Sequence, residues 1–125
     1  KNQPIKNLII KVDGLQDGVE YNSYIKQADI LCLAYKNFFG SSNNLTKSSF
    51  FNIPVIVNDG YLLADRIKKW KIGGILEKEN TLNLLNLLEQ LESVKWNKTD
   101  RKFKEYYNEN SVEKLQKNIQ LMFSK

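Results

Sequence analysis

Two hydrophobic periods alternate along the chain, and the switches between them outline its elements. Leu8-Ile9-Ile10-Lys11-Val12 is rich in β-branched residues and stops at Asp13-Gly14, which predicts a strand ended by a turn. Tyr21, Tyr24, Ile25 and Ala28 then recur at helical spacing. Asp29 leads into Ile30-Leu31-Cys32-Leu33-Ala34, an unbroken apolar run that suits a strand covered on both faces. The polar, aromatic and glycine-containing stretch from Tyr35 to Asn43 predicts a loop.

A second helix is predicted from about Asn44 to Phe51. Pro54 opens another continuous apolar run, Val55-Ile56-Val57, which Asn58-Asp59-Gly60 terminates. Tyr61 to Trp70 places Leu62, Leu63, Ile67 and Trp70 on one helical face, with Arg66, Lys68 and Lys69 on another. Gly73-Gly74-Ile75-Leu76 is a short strand. Asn80 caps a helix whose apolar stripe is Leu84, Leu85, Leu88 and Leu91. After Trp96 the style changes. Asp100 to Tyr107 and Val112 to Phe123 predict two surface helices with no strand between them. The last has Asn110 three residues before Glu113, a capping-box-like start, and Val112, Leu115, Ile119 and Met122 on one face.

Strands alternating with helices favour a parallel sheet with right-handed crossovers, an α/β class with a Rossmann-like sheet. The pattern divides into an α/β portion, 1–96, and a helical extension of the same domain, 97–125. In such sheets ligands bind beyond the carboxyl ends of the strands, at the loop after Ala34 and the turn after Val57.

Composition narrows the chemistry. At 125 residues the chain fits one domain. It holds no histidine, which excludes Ser-His-Asp and Cys-His catalysis and histidine metal sites within it. The single cysteine, Cys32, excludes an internal disulfide and, inside an apolar run, is expected to be a buried inert thiol. A reducing, cytoplasmic setting follows. No apolar run reaches the length of a membrane span, and no secretory signal heads the sequence. The net charge is +5, of which +4 falls in residues 95–125. A solvated helical surface accounts for that excess. It also suits peripheral association with an anionic membrane. The basic residues alternate with acids and lack stacking aromatics, which speaks against nucleic acid as a partner.

The segment richest in candidate chemistry is Gly40-Ser41-Ser42-Asn43-Asn44, between a buried strand and a helix. Small residues admit a ligand to the backbone, and the first amides of the helix form an anion site. Ser41, Ser42 and Asn43 add side-chain donors to phosphate oxygens, and Lys47 adds a cation one turn on. The alternative is that Ser and Asn only cap the helix. No Walker A or Gly-x-Gly-x-x-Gly fingerprint is present. Asp59 and Gly60 at the second turn, and Tyr35 after the first strand of the loop, complete the candidate set. Phe38 and Phe39 suit core or lid packing, or stacking on a base.

Tyr21 to Leu76 resembles the C-terminal domain of GT-B glycosyltransferases of the family 4 (group 1) type. Ala28-Asp29-Ile30-Leu31-Cys32-Leu33 is similar to the family's "Ala-Asp-hydrophobic" strand. Asn52-Ile53-Pro54-Val55-Ile56 is similar to its "Gly-x-Pro-Val-Ile" strand, with Asn52 in place of the glycine. Asp59-Gly60 through Gly73-Gly74 is similar to the turn and helix that follow. Phe103 through Phe123 is similar to the closing helices. The resemblance implies a nucleotide-diphosphate-sugar donor as substrate, no cofactor and no required metal. It implies that Gly40 to Lys47 contacts the diphosphate and ribose, whose leaving charge backbone amides stabilise. It further implies a separate N-terminal GT-B domain that binds the acceptor, so the chain would be the second half of a longer enzyme. In many members two glutamates flank this loop, the second gripping the ribose; Phe39 and Lys47 stand in their places. Two other functions remain open. One is a non-catalytic Rossmann-like scaffold that has lost donor binding. The other is a receiver- or flavodoxin-like domain, although no acidic cluster follows an early strand as a receiver requires.

Overall fold

Among the described residues three short strands line up parallel in the order of the chain, and their pleat divides the apolar residues between two layers of helices. The computed structural model describes residues 7, 14, 15, 18–94, 96 and 100–124. The strand expected at Leu8 to Val12 lies outside them. The elements run α1 (Val19–Gln27), β1 (Leu31–Leu33), α2 (Asn43–Phe50), β2 (Val55–Asn58), α3 (Leu62–Trp70) and β3 (Gly73–Leu76). They continue with α4 (Thr81–Ser93), α5 (Arg101–Glu109) and α6 (Val112–Phe123). The sheet order is β1-β2-β3, with Leu31 opposite Val55 and Val55 opposite Gly73. This is the expected Rossmann-like α/β arrangement with flanking helices.

Every residue of β2 is buried, as the central strand of a two-sided sheet must be. Val55 and Val57 face one layer, where Leu33, Leu45 of α2, Leu63, Ala64 and Ile67 of α3, and Phe103 and Tyr106 of α5 join them. Ile56 faces the other layer with Leu76 and Leu91, flanked by Leu84, Leu87 and Leu88 of α4. Both crossover helices, α2 and α3, therefore cover one face, as crossovers of one hand require. Trp96 packs against both layers; its Nε1–H donates to the Leu91 carbonyl at 2.9 Å, and its ring meets Phe103 edge-on. It anchors the passage from the α/β portion to the terminal helices.

Several expected faces are rotated. Ala64 is fully buried in α3 and Leu62 is exposed; a small alanine leaves no mark on a hydrophobic pattern. Leu87 turns toward the sheet in α4 and Leu85 toward solvent. Cys32 corrects the expectation of a buried thiol: it is exposed. Its strand is at the end of the three-strand order and α4 packs over β3, so no described helix covers that face of β1.

The two closing helices differ in burial. α5 sends Phe103 and Tyr106 fully into the main core, where Arg66 donates to the Tyr106 hydroxyl at 2.8 Å. α6 buries no residue, and Val112, Leu115, Ile119 and Met122 form an exposed stripe. Its cap is Ser111, whose Oγ accepts from the Lys114 amide, not Asn110, which instead closes α5 by donating to the Tyr106 carbonyl. Among the described residues no helix is long and apolar enough to cross a membrane.

Candidate functional site

The carboxyl ends of β1 and β2 open into two loops, and aromatic and amide side chains stitch these loops together. After β1 the chain runs through Tyr35, Asn37, Phe38 and Gly40 to α2; after β2 it turns at Asp59-Gly60 into α3. The Tyr61 hydroxyl donates to Asn37 Oδ1 at 3.4 Å, and the Tyr61 ring meets Phe39 edge-on at 5.3 Å between centroids. Phe38 packs inward on Tyr35 and the main core, whereas Phe39 is exposed. Asn37 and Gly60 both adopt positive φ, 52° and 86°, which glycine adopts freely and asparagine tolerates.

The loop residues meet two different fates. Ser42 is buried and caps α2, accepting from the Asn44 amide through Oγ at 3.1 Å. The Asn44 side chain accepts from the Tyr21 hydroxyl at 2.6 Å and donates to the Tyr35 hydroxyl at 3.0 Å. Lys47 lies over the Tyr21 ring, 4.7 Å from its centroid. Asn44 and Lys47 thus tie α2 to Tyr21 of α1 and to Tyr35 beyond β1, while Ser42 bonds locally at the start of α2. Gly40, Ser41 and Asn43 are exposed. The helix-starting Asn43 amide makes no hydrogen bond among the described residues. It points from the positive end of the α2 dipole.

Asp59 is exposed and ion-paired: Lys68 Nζ lies 3.0 Å from its Oδ1. The hydrogen bond from Lys68, that from the Gly60 amide and the Lys68 charge hold the Asp59 carboxyl below the ordinary aspartate range. In return the hydrogen bond to Asp59 and its negative charge raise the Lys68 pKa. Gly60 leaves open space where a side chain would stand, but its φ of 86° confines the position to glycine-like conformations.

A polar relay that the hydrophobic pattern does not single out ties the three strand ends together. Asn58, only 7% exposed at the end of β2, donates through Nδ2 to the Tyr35 carbonyl at 3.0 Å and to Glu79 Oε1 at 2.9 Å. Glu79, three residues beyond β3, pairs in turn with Lys36 at 3.5 Å. Asn58 Oδ1 is buried and has no hydrogen-bond partner among the described residues. The visible signal is an asparagine ending an otherwise apolar, buried strand; nothing in the local sequence marks Glu79.

A cavity of about 1020 Å³ opens at the opposite, amino end of the strands, between Ile30, Phe51, Pro54, Leu88 and Trp96. Its lining mixes these apolar residues with Lys26, Gln27, Asp29, Asn52 and Glu92, and it takes in the last turns of α1, α2 and α4 and no helix start, so it lacks the amides that suit an anion. The carboxyl rim carries them, and ligands of parallel sheets bind at that end. Protein-family models, curated proteins and solved structures give no match to this chain.

Proposed function

We propose that the chain holds the diphosphate of a nucleotide-diphosphate-sugar donor, as part of a glycosyltransferase that passes the sugar to an acceptor. The observation that carries this reading is the exposed Gly40-Ser41 loop running into an α2 whose first amide bonds to no described residue, at the carboxyl rim of a parallel sheet. The likeness to the GT-B C-terminal domain supplies the substrate class. Asn52 supports that likeness, because its φ of 58° is a conformation that the family's glycine adopts without strain. In this reading Ser42, Asn44 and Tyr35 shape the loop, while the Asn43 amide, Ser41 and the Gly60 backbone meet the ligand. The acceptor falls to a second, N-terminal domain, and the basic closing segment sits toward an anionic, cytoplasmic membrane face.

One observation favours a second reading, a scaffold without donor binding: Ser42, Asn44 and Lys47 already have partners inside the protein. Thermal unfolding with UDP, GDP and ADP separates the two. A ligand at 100 times its dissociation constant stabilises the fold by about 2.7 kcal/mol. Ser42→Asp preserves a good N-cap residue but sets a negative charge at the anion site, so it should abolish the stabilisation while leaving the unliganded fold intact. Absence of any shift in the wild-type chain selects the scaffold.

A further inference from the structure

Half of α6 is apolar, and the fold keeps that half in water. Val112, Leu115, Ile119, Leu121, Met122 and Phe123 are all exposed, from 43% at Ile119 to 84% at Phe123. Lys114, whose Nζ reaches Glu109 of α5 at 3.6 Å, marks the side of α6 that faces the domain. Ile119, five residues on, stands about 140° round the helix from it. Val112, Leu115, Met122 and Phe123 lie within about 60° of Ile119, so one outward stripe gathers them. The apolar surface continues from Val112 to Phe50, which is also exposed and meets Tyr107 at 5.2 Å between ring centroids. Phe50, Tyr107 and Val112 line one groove of about 330 Å³.

A contiguous exposed apolar surface marks a partner, and the local charge selects among partners. From Lys114 to its end the sequence carries three lysines, Lys114, Lys117 and Lys125, and no acid. An apolar stripe on one side, with lysines and amides round the rest, suits a helix lying in the plane of a membrane interface. Its apolar side meets acyl chains, and the long lysine stems bring their charges to anionic headgroups. A second copy of the chain fits less well. Five stripe side chains fall far short of the roughly 20–30 residues a side in a standard protein interface, and chains of charge +5 repel one another. We infer that α6 docks flat on an anionic phospholipid bilayer, inserting Val112, Leu115, Ile119, Met122 and Phe123 below the headgroups. The inference rests on the placement of the basic closing segment at a membrane, and not on the donor diphosphate.

Sedimentation with vesicles of phosphatidylcholine, alone or mixed with phosphatidylglycerol, tests it. The chain should partition onto the mixed vesicles at least about tenfold more strongly, and added salt should release it. Ile119→Asp combined with Met122→Asp should cut that partitioning about tenfold or more, and Lys117→Gln about fivefold. Leu85→Asp, on the exposed side of α4, should leave it unchanged. Should the double variant lose α6, hydrogen exchange of the wild-type chain decides: mixed vesicles should slow the amides of α6 and leave those of α4 as they were. Binding to neither vesicle, equal binding to both, partitioning that survives the double variant with α6 intact, or α6 amides that exchange no slower each overturn the inference. Self-association in ultracentrifugation that the double variant abolishes, without vesicle binding, overturns it too and assigns the stripe to a second copy. The diphosphate reading is judged separately, by nucleotide thermal shifts measured without vesicles.

Discussion

Gly73 and Gly74 lack side chains for different reasons, and substitution separates them. A Cβ on Gly73 would run into the Val55 carbonyl oxygen, which is backbone in the central strand and cannot yield. A Cβ on Gly74 would come within 2.6 Å of Leu87 Cδ1, the tip of a rotatable side chain on α4. Gly73→Ala should therefore destabilise the chain by about 1–3 kcal/mol or more, and Gly74→Ala by less, in urea unfolding of the two variants. The reverse order would mean that α4 docks more rigidly than the sheet registers. Asp59 offers a second residue-scale expectation. Its folded-state pKa is depressed, so its contribution is present above the ordinary aspartate value and disappears as pH falls through the folded value. The pair is exposed and the increment small, confined to acid below about pH 4. A carboxyl-detected NMR titration should place Asp59 below an ordinary aspartate, and Lys68→Gln should return it upward. An unmoved value would remove Lys68 as the cause.

At the scale of elements, α5 and α6 have similar hydrophobic patterns and opposite roles. Amphipathic spacing predicts both helices, but it cannot say whether an apolar stripe meets a core. α5 buries Phe103 and Tyr106 against α2 and α3, while α6 leaves its stripe in solvent. A chain ending at Ser111 should keep its cooperative unfolding and lose little stability, whereas Phe103→Ala should cost about 3–5 kcal/mol. Circular dichroism melts of both variants check this. A collapse on removing α6 would show that the stripe is needed for the fold. Caps were legible where an asparagine or serine stood alone before a helix, as Asn80 does for α4. They were ambiguous at Asn110-Ser111, where two capping residues adjoin and only the path of the chain assigns one to each helix.

At the scale of the whole molecule, the alternation of periods sufficed for the architecture, because a strand with apolar residues at every position must be covered on both sides. The run at Val55 to Val57 met that rule, with every residue of β2 buried, while Leu31 to Leu33 met it on one face only, Cys32 being exposed; the carboxyl rim of the sheet was the expected place for a ligand. Local sequence also determined the Gly40 to Asn44 loop as the start of a helix, since small and capping residues there have few other uses. What each side chain does on that rim was decided by the tertiary structure. Ser42, Asn44 and Lys47 have the right chemistry for an anion. Ser42 meets only the Asn44 amide two residues on, as a local capping rule expects, but the partners of Asn44 and Lys47 are Tyr21 of α1 and Tyr35 beyond β1, and no local rule announces such neighbours. The same holds for Cys32, whose exposure follows from where α4 lies, over β3 and not over β1. It holds most of all for Asn58, where three strand ends brought to one level engage an amide's donors and leave its oxygen without a proton from any described residue. Periodicity is a property of neighbours along the chain. Hydrogen-bond satisfaction is a property of neighbours in space, and only the folded molecule supplies them.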